Sequence, residues 1–218
     1  METLQAKIYL NELRGSNLID EADPFRTLQC FFYQTLHGGG VLKENIGADG
    51  YLVVIPVTGD LIFTLFGQDT EALEELEIAV GQVLITTVAA LSAFRLLNPF
   101  TGDEVNFMWF TIAASPTYPL KKLLDFELAA GNGFISLFDG VADQASFRLH
   151  LGQFAGREET LFRLSPDYKG VFCFALTGAF ELCGRLLHPK DGLALWEVAE
   201  AELEALSNNA LMLLLEIP

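Results

Sequence analysis

Histidine, the commonest ligand of catalytic metals in proteins, is scarce in this sequence. The three histidines are His37, His150 and His188. The three cysteines are Cys30, Cys173 and Cys183, and no two of them form a CxxC pair. First-row metals are normally held by closely spaced imidazole and thiolate ligands. The sequence therefore shows no metal-ligand motif, and its odd number of thiols in apolar segments favours free cysteines in a reducing compartment over a disulfide framework.

Long apolar runs and basic residues are lacking as well. The longest apolar candidate, VLITTVAALSAF at 83–94, is shorter than the roughly 18–20 residues of a membrane-spanning helix. The N-terminal METLQAKIYL does not have the basic-then-apolar order of a secretion signal. Lysine and arginine number 13 against 29 aspartates and glutamates, for a net charge of −16, which disfavours contact with phosphates. We therefore expect a cytoplasmic protein that binds neither nucleic acid nor a membrane.

Short apolar segments bounded by Gly, Asn, Asp and Pro dominate the chain. YLVVIPV at 51–57 has strand length, and SFRLHL at 146–151 alternates apolar and polar residues, so the pattern predicts an all-β protein. The two halves are also similar. VIPVTGDLIF at 54–63 and FALTGAFEL at 174–182 each contain a strand that ends at Thr-Gly. A repeat of strand hairpins predicts two β domains in tandem.

Two segments contain helix-forming residues. EALEELEIA at 71–79 suits either a helix or a long hairpin loop, whereas YPLKKLLDFELAA at 118–130 has leucines at helical spacing. We therefore predict a short helical linker at 116–130. It would separate an N-terminal domain at 1–115 from a C-terminal domain at 131–218.

The C-terminal stretch KDGLALWEVAEAELEALSNNALMLLLEIP at 190–218 resembles the end of pirin-family proteins. FRTLQCFFYQTLHGGG at 25–40 resembles the entry strand of that family, and SPTYPLKKL at 115–123 its Pro-x-Tyr linker. GYLVVIPVTGDL at 50–61 and VGQVLITTVAALSAFRLLNP at 80–99 resemble its two cupin motifs. The resemblance implies a bicupin, with two jelly-roll β-barrel domains. It also implies an iron site of three histidines and one glutamate in the N-terminal cupin, and dioxygenase activity of the quercetinase type.

The resemblance places the ligands of the first motif on residues that bind metals poorly. With the Thr-Gly of 58–59 as the end of that motif, the His-x-His pair falls on Asn45 and Gly47. The glutamate that follows in the family falls on Tyr51. A slip of the register brings only one carboxylate, that of Glu44, to a ligand position.

The second motif lacks the expected ligands too. With Gly81 as the anchor of the register, the remaining histidine falls on Phe94 and the glutamate on Leu96. The trailing asparagine of the family is matched by Asn98. We therefore expect neither a metal nor another cofactor. A metal assembled from distant residues stays open.

Three functions stay open at this point. The first is a metal-free, non-catalytic member that binds a small molecule or a protein. Its candidate ligand-binding residues, for which plain barrel packing is the alternative, are Asn45, Gly47, Tyr51, Phe94, Leu96 and Asn98. The second is a metal-dependent dioxygenase, and the third is a transcriptional co-regulator that acts by protein contacts. Cys30 has no neighbouring histidine and is predicted to be a core thiol, and HGGG at 37–40 is predicted to be a turn because no nucleophile elbow accompanies it.

Overall fold

Strands form almost all of the regular structure. The computed structural model describes residues 5–68, 71–128 and 133–218. In chain order the elements are β1 (Gln5–Tyr9), α1 (Asn11–Arg14), β2 (Asn17–Ile19), β3 (Leu28–Leu36), β4 (Val41–Asn45), β5 (Gly50–Thr58), β6 (Leu61–Phe66), β7 (Ala72–Ile78), β8 (Gln82–Val88), β9 (Ala93–Leu97), β10 (Val105–Ala113), β11 (Lys121–Asp125), β12 (Gly133–Asp139), a 3-10 helix (Gly140–Asp143), β13 (Arg148–Phe154), β14 (Glu159–Arg163), β15 (Gly170–Thr177), β16 (Phe180–Leu182), β17 (Arg185–Leu187), β18 (Gly192–Trp196), β19 (Glu200–Ala205) and β20 (Ala210–Ile217). The predicted all-β class is confirmed. In the described ranges no helix has the length and apolar character that crossing a membrane requires.

The chain divides into two compact units. The N-terminal unit contains residues 20–23 and 28–127, and the C-terminal unit contains residues 24–27 and 128–218 together with the chain up to residue 19. The first strand belongs to the C-terminal unit because β1 pairs antiparallel with β18, from Gln5 opposite Trp196 to Tyr9 opposite Gly192. The structural units therefore differ from the predicted first domain of 1–115, in which the first strand was included.

Each unit consists of a larger and a smaller antiparallel sheet. In the N-terminal unit the larger sheet contains β11-β8-β5-β10-β3 in that order, and the smaller sheet is β4-β9-β6-β7. Apolar side chains from both sheets, among them Val54, Phe63, Phe94 and Trp109, form one buried cluster. The two sheets thus enclose a common hydrophobic core.

The C-terminal unit repeats this topology ten strands later. Its larger sheet has the order β1-β18-β15-β20-β13-β12 and its smaller sheet the order β14-β19-β16-β17. Both copies of the Thr-Gly motif end a strand, and Gly59 and Gly178 adopt φ values of 77° and 73°. Glycine favours these tight turns because this left-handed conformation strains residues with a Cβ. The tandem repeat predicted from the sequence is confirmed.

Both segments with helix-forming residues contain a strand instead of a helix. Within the predicted linker, residues 121–125 form β11, which pairs with β8 as an edge strand. The leucine spacing of this segment also fits a half-buried strand, and pairing with β8 decides between the two. Residues 72–78 likewise form β7, paired with β6. Residues 129–130 of the predicted helix lie outside the described residues, and HGGG forms the predicted turn, closed by a hydrogen bond from Gly40 N to His37 O of 2.8 Å.

Candidate functional site

A cleft of about 420 Å³ opens in the N-terminal unit. Its walls are residues 20–22, the end of β4 with the residues that follow it (44–47), and two paired positions on β3 and β10. The register of these two strands places Cys30 opposite Thr111 and Phe32 opposite Trp109. Opposite residues of an antiparallel pair project from the same face of the sheet, so these four side chains form one continuous wall.

Aromatic rings make up the apolar part of this wall. The rings of Phe32 and Trp109 stack with a centroid distance of 4.3 Å and an interplanar angle of 9°. The indole Nε1 of Trp109 donates a hydrogen bond of 2.8 Å to Gln34 Oε1, which fixes the ring. Beside the rings, Cys30 Sγ lies 3.0 Å from Thr111 Oγ1. The wall therefore offers aromatic surface next to a thiol and a hydroxyl.

The strand β4 contributes a carboxylate to the cleft. Burial alternates along this strand, with Leu42 and Glu44 partly buried and Asn45 exposed. Ile46 is buried, whereas Gly47 is exposed. The inward positions are thus Glu44 and Ile46, one residue away from the predicted register of Asn45 and Gly47. A shift of one residue reverses the two faces of a strand, so Asn45 and Gly47 lie at the rim of the cleft rather than at its centre.

The second-motif residues fill the core beneath the cleft. Phe94 and Leu96 are both 0% exposed. The ring of Phe94 lies 5.0 Å from that of Trp109 in an edge-to-face arrangement and 6.3 Å from that of Phe63. These two predicted site residues therefore pack behind the cleft wall and do not line the cleft.

The last two predicted residues, Asn98 and Tyr51, have separate positions. Asn98 is buried, and its Nδ2 donates to the carbonyls of Leu36 and Asp103 at 2.9 and 2.8 Å. Its Oδ1 accepts a hydrogen bond of 3.0 Å from Phe100 N. Asn98 thus ties the end of β3 to the connection between β9 and β10. Tyr51 is buried on β5 and lines a small neighbouring pocket that also touches Gly47 and Thr111.

Negative charge characterises the cleft. Asp20, Glu21 and Glu44 contribute to its lining, and no lysine, arginine or histidine is among the described residues that line it. Burial raises the pKa of Glu44. Burial also raises the pKa of Cys30 from 9.0 to about 11, an effect that hydrogen bonds from Thr111 reduce and the charges of Glu21 and Glu44 reinforce. Cys30 is therefore a neutral thiol at neutral pH, as predicted for a core cysteine, and is a poor nucleophile.

The side chains of this site do not fit the iron centre that the family resemblance implies. The inward positions carry hydrocarbon side chains at Ile46, Phe94 and Leu96, and only Glu44 offers a donor atom. In the described ranges 5–68, 71–128 and 133–218, no three His, Cys, Asp or Glu side chains are placed to hold a metal. Iron, nickel and copper sites in proteins depend on several convergent nitrogen, oxygen or sulfur ligands, and this donor set does not supply them.

Sequence reasoning did not find several residues of the cleft. Glu21, Phe32 and Thr111 carry no motif, and they meet only because β3 pairs with β10 and residues 20–22 lie beside both. Trp109 is both buried and part of the wall. The available signal was the inward alternation of Cys30 and Phe32 along β3, which indicates a face but not what that face adjoins.

Comparisons with known proteins agree with this architecture. Residues 140–217 match the family described as the quercetinase C-terminal cupin domain. Among curated proteins no sequence match was found. The solved structure of YhhW from Escherichia coli has a TM-score of 0.79 at 14% identity and covers 98% of this chain and 98% of that chain. A second YhhW structure, described as a bacterial pirin in complex with nickel(II), has a TM-score of 0.77 at 15% identity, covering 98% of this chain and 99% of that chain.

A quercetin 2,3-dioxygenase from Acinetobacter baumannii is also similar. It has a TM-score of 0.69 at 13% identity and covers 97% of this chain and 86% of that chain. Identities this low establish the fold and carry no further assignment. From its repeated two-sheet topology, the family match of residues 140–217 and these structural likenesses, the chain has a pirin-like bicupin fold.

Proposed function

We propose that this chain is a metal-free, non-catalytic pirin-like bicupin that binds a small organic ligand in the cleft of its N-terminal unit. One observation carries the proposal. Phe94, at the position where the resemblance places a metal-binding histidine, is 0% exposed and packs edge-on against Trp109. The position is thereby used for packing, and the proposed ligand site is the cleft that Trp109 lines.

The composition of the cleft supports ligand binding. Small-molecule sites are concave, have volumes of roughly 300–1,000 Å³ and combine apolar walls with a few polar groups. The cleft has a volume of about 420 Å³, a stacked aromatic pair in Phe32 and Trp109, and polar atoms on Thr111 and Glu44. Asn45 and Gly47 lie at its rim, so two of the residues predicted for ligand binding border the proposed site.

Elemental analysis tests the metal-free part of the proposal. The protein is purified without a metal-affinity tag and its metal content is measured by mass spectrometry. We expect well below one equivalent of any first-row metal. Stoichiometric iron, nickel, copper or zinc would overturn the proposal.

A thermal-shift screen of aromatic and alkyl compounds tests the ligand-binding part. Asn45→Phe places a ring at the exposed rim and should abolish the shifts caused by compounds that bind in the cleft. The matched control is Val41→Phe, because Val41 is exposed on the same strand and does not line the cleft. Equal shifts in both variants and in the unchanged protein would place the binding elsewhere.

A dioxygenase of the quercetinase type is the second candidate function. The description of the family that matches residues 140–217 and the likeness to a quercetin 2,3-dioxygenase favour it. The measurement is oxygen-dependent loss of quercetin after incubation with iron(II) or nickel(II). Catalytic turnover by metal-loaded protein would support this candidate over the first. A protein partner, as for a co-regulator, and a cytoplasmic location stay predictions.

A further inference from the structure

We infer that the cleft of the N-terminal unit selects an organic cation, an amine or quaternary ammonium group attached to an apolar body. The inference rests on the proposed ligand-binding role of this cleft and specifies the chemistry of its ligand. It starts from one juxtaposition. The carboxylates of Glu21 and Glu44 line the same cavity as the stacked rings of Phe32 and Trp109.

Among the described residues, no basic group is paired with the Glu44 carboxylate. Glu44 occupies an inward position of β4 and is partly buried. Lys43 and Arg95, the basic residues nearest to it in the β4–β9 register, are directed elsewhere. Lys43 Nζ lies 5.2 Å from the centre of the Phe66 ring, and Arg95 Nη2 lies 3.0 Å from Glu75 Oε2. A partly buried carboxylate without a cation is costly, and a bound cation in the cleft would remove that cost.

The Glu21 carboxylate lies against Gly47. A Cβ added to Gly47 would overlap Glu21 Oε1, so the carboxylate lies directly against the backbone at the rim of the cleft. Any side chain at position 47 would displace it. Asp20, by contrast, already accepts hydrogen bonds from the backbone N–H groups of Ala22 and Asp23 at 3.0 and 3.1 Å. The two carboxylates that remain for a ligand are therefore Glu21 and Glu44.

The aromatic wall of Phe32 and Trp109 also favours a cationic ligand. The face of an aromatic ring attracts a cation that lies over it within about 6 Å of the ring centroid, and the effect increases when water is excluded. An anionic ligand would meet two carboxylates without a basic partner, and a neutral ligand would leave Glu44 uncompensated. A bare divalent ion needs several convergent oxygen ligands, and the described residues contain no group of three that could provide them. An amine on an apolar body can pair with the carboxylates and contact the aromatic wall at the same time.

Three probes with one carbon skeleton test the inference: 4-phenylbutylamine, 4-phenylbutan-1-ol and 4-phenylbutyrate. The chain has two tryptophans, so Trp196→Phe leaves Trp109 as the single reporter in the cleft. Binding is followed by Trp109 fluorescence and by calorimetry. We expect the amine to bind about tenfold more tightly than the alcohol, which corresponds to about 1.4 kcal/mol, and the carboxylate to bind most weakly. Added salt should weaken the binding of the amine and should not weaken that of the other two probes.

Variants separate the local carboxylate from the overall acidity of the chain. Glu44→Gln should lower the affinity for the amine about tenfold and leave that for the alcohol within about twofold. Glu77→Gln is the control, since Glu77 is an exposed glutamate of the same unit and does not line the cleft. Asn45→Phe should abolish binding of all three probes.

Each unfavourable outcome has a distinct meaning. Equal affinities for amine and alcohol, or an unchanged amine affinity in Glu44→Gln, would overturn cation selection and leave ligand binding in the cleft intact. An equal loss in Glu77→Gln would assign the effect to net charge and also overturn the inference. Failure of all three probes to bind at millimolar concentration would overturn both the inference and the ligand-binding role, whereas metal content is decided separately by elemental analysis.

Discussion

Removal of the Phe94 ring measures whether that position is structural. Phe94 is 0% exposed, and it contacts Trp109 edge-on at 5.0 Å and Phe63 at 6.3 Å. Truncation of a fully buried phenylalanine to alanine costs about 3–5 kcal/mol because apolar contacts are lost and a cavity remains. We expect Phe94→Ala to lower the free energy of unfolding by that amount.

The assay is urea unfolding in the Trp196→Phe background, with Trp109 fluorescence as the signal of the N-terminal unit. Because the free energy falls by about 1–3 kcal/mol per molar urea, a loss of about 3 kcal/mol lowers the midpoint by about 1 M or more. The control is Leu73→Ala, since Leu73 is 66% exposed and its truncation should change stability by no more than about 0.5 kcal/mol.

Phe94→His gives a second measurement at the same position. It introduces an imidazole into a site lined by hydrocarbon, so we expect a loss of about 2 kcal/mol or more. If Phe94→Ala costs less than about 1 kcal/mol, or if Phe94→His is neutral, the position is open rather than packed. The structural basis of the metal-free proposal would then fail.

Three further results are expected. At pH 8, alkylation of Cys30 by iodoacetamide should be about 100-fold slower in the folded than in the unfolded chain, because a pKa of about 11 instead of 9.0 reduces the thiolate fraction by that factor. Burial raises the pKa of Glu44. Ionisation of Glu44 is therefore less favourable in the folded state, which loses stability as pH rises through the folded pKa. Glu44→Gln should raise the urea midpoint at pH 8 and leave it unchanged at pH 4. Tyr9→Ala should accelerate hydrogen exchange in β18, which β1 covers, and leave β8 unaffected, since Tyr9 is buried and packs edge-on against Phe172.

Each of these expectations has a contradicting result. Equal alkylation rates in the folded and unfolded chain, measured by peptide mapping, would mean that Cys30 is open to solvent. If Glu44→Gln stabilised the protein as much at pH 4 as at pH 8, the stabilisation would have a cause other than the charge of Glu44. Faster exchange in β8 of the Tyr9→Ala variant would mean that the first strand supports both units.

The repeated architecture was predictable from the sequence, because it depends on local signals. Both Thr-Gly turns and the strand-length apolar runs that flank them recur in the two halves, and turn chemistry and period-2 alternation are properties of neighbouring residues. The strand β11 was mispredicted for the same reason. The leucines of 120–128 fit a helix and a half-buried strand, and only pairing with β8, far away in the chain, decides between them.

The candidate site was predictable only in part. Phe94 and Leu96 of the second motif are buried, whereas Asn45 and Gly47 of the first motif are exposed and alternate with the more buried Glu44 and Ile46. Residues 46–49 between β4 and β5 form an irregular connection, so counting back from the Thr-Gly turn does not fix which face of β4 a residue occupies. The cleft itself combines residues from three separate segments, and no local pattern encodes their meeting.

The pairing of β1 with β18 has a consequence for biosynthesis. The two strands lie near opposite ends of the chain, and residues 192–196 leave the ribosome long after residues 5–9. At about 5–20 residues per second, the first strand waits roughly 10–40 s for its partner. During this interval its backbone edge and the Tyr9 side chain are available to the β18 of another nascent chain. The pairing of β1 with β18 thus carries a risk of strand exchange between neighbouring chains on one polysome. A chaperone that shields the first ten residues would reduce this risk.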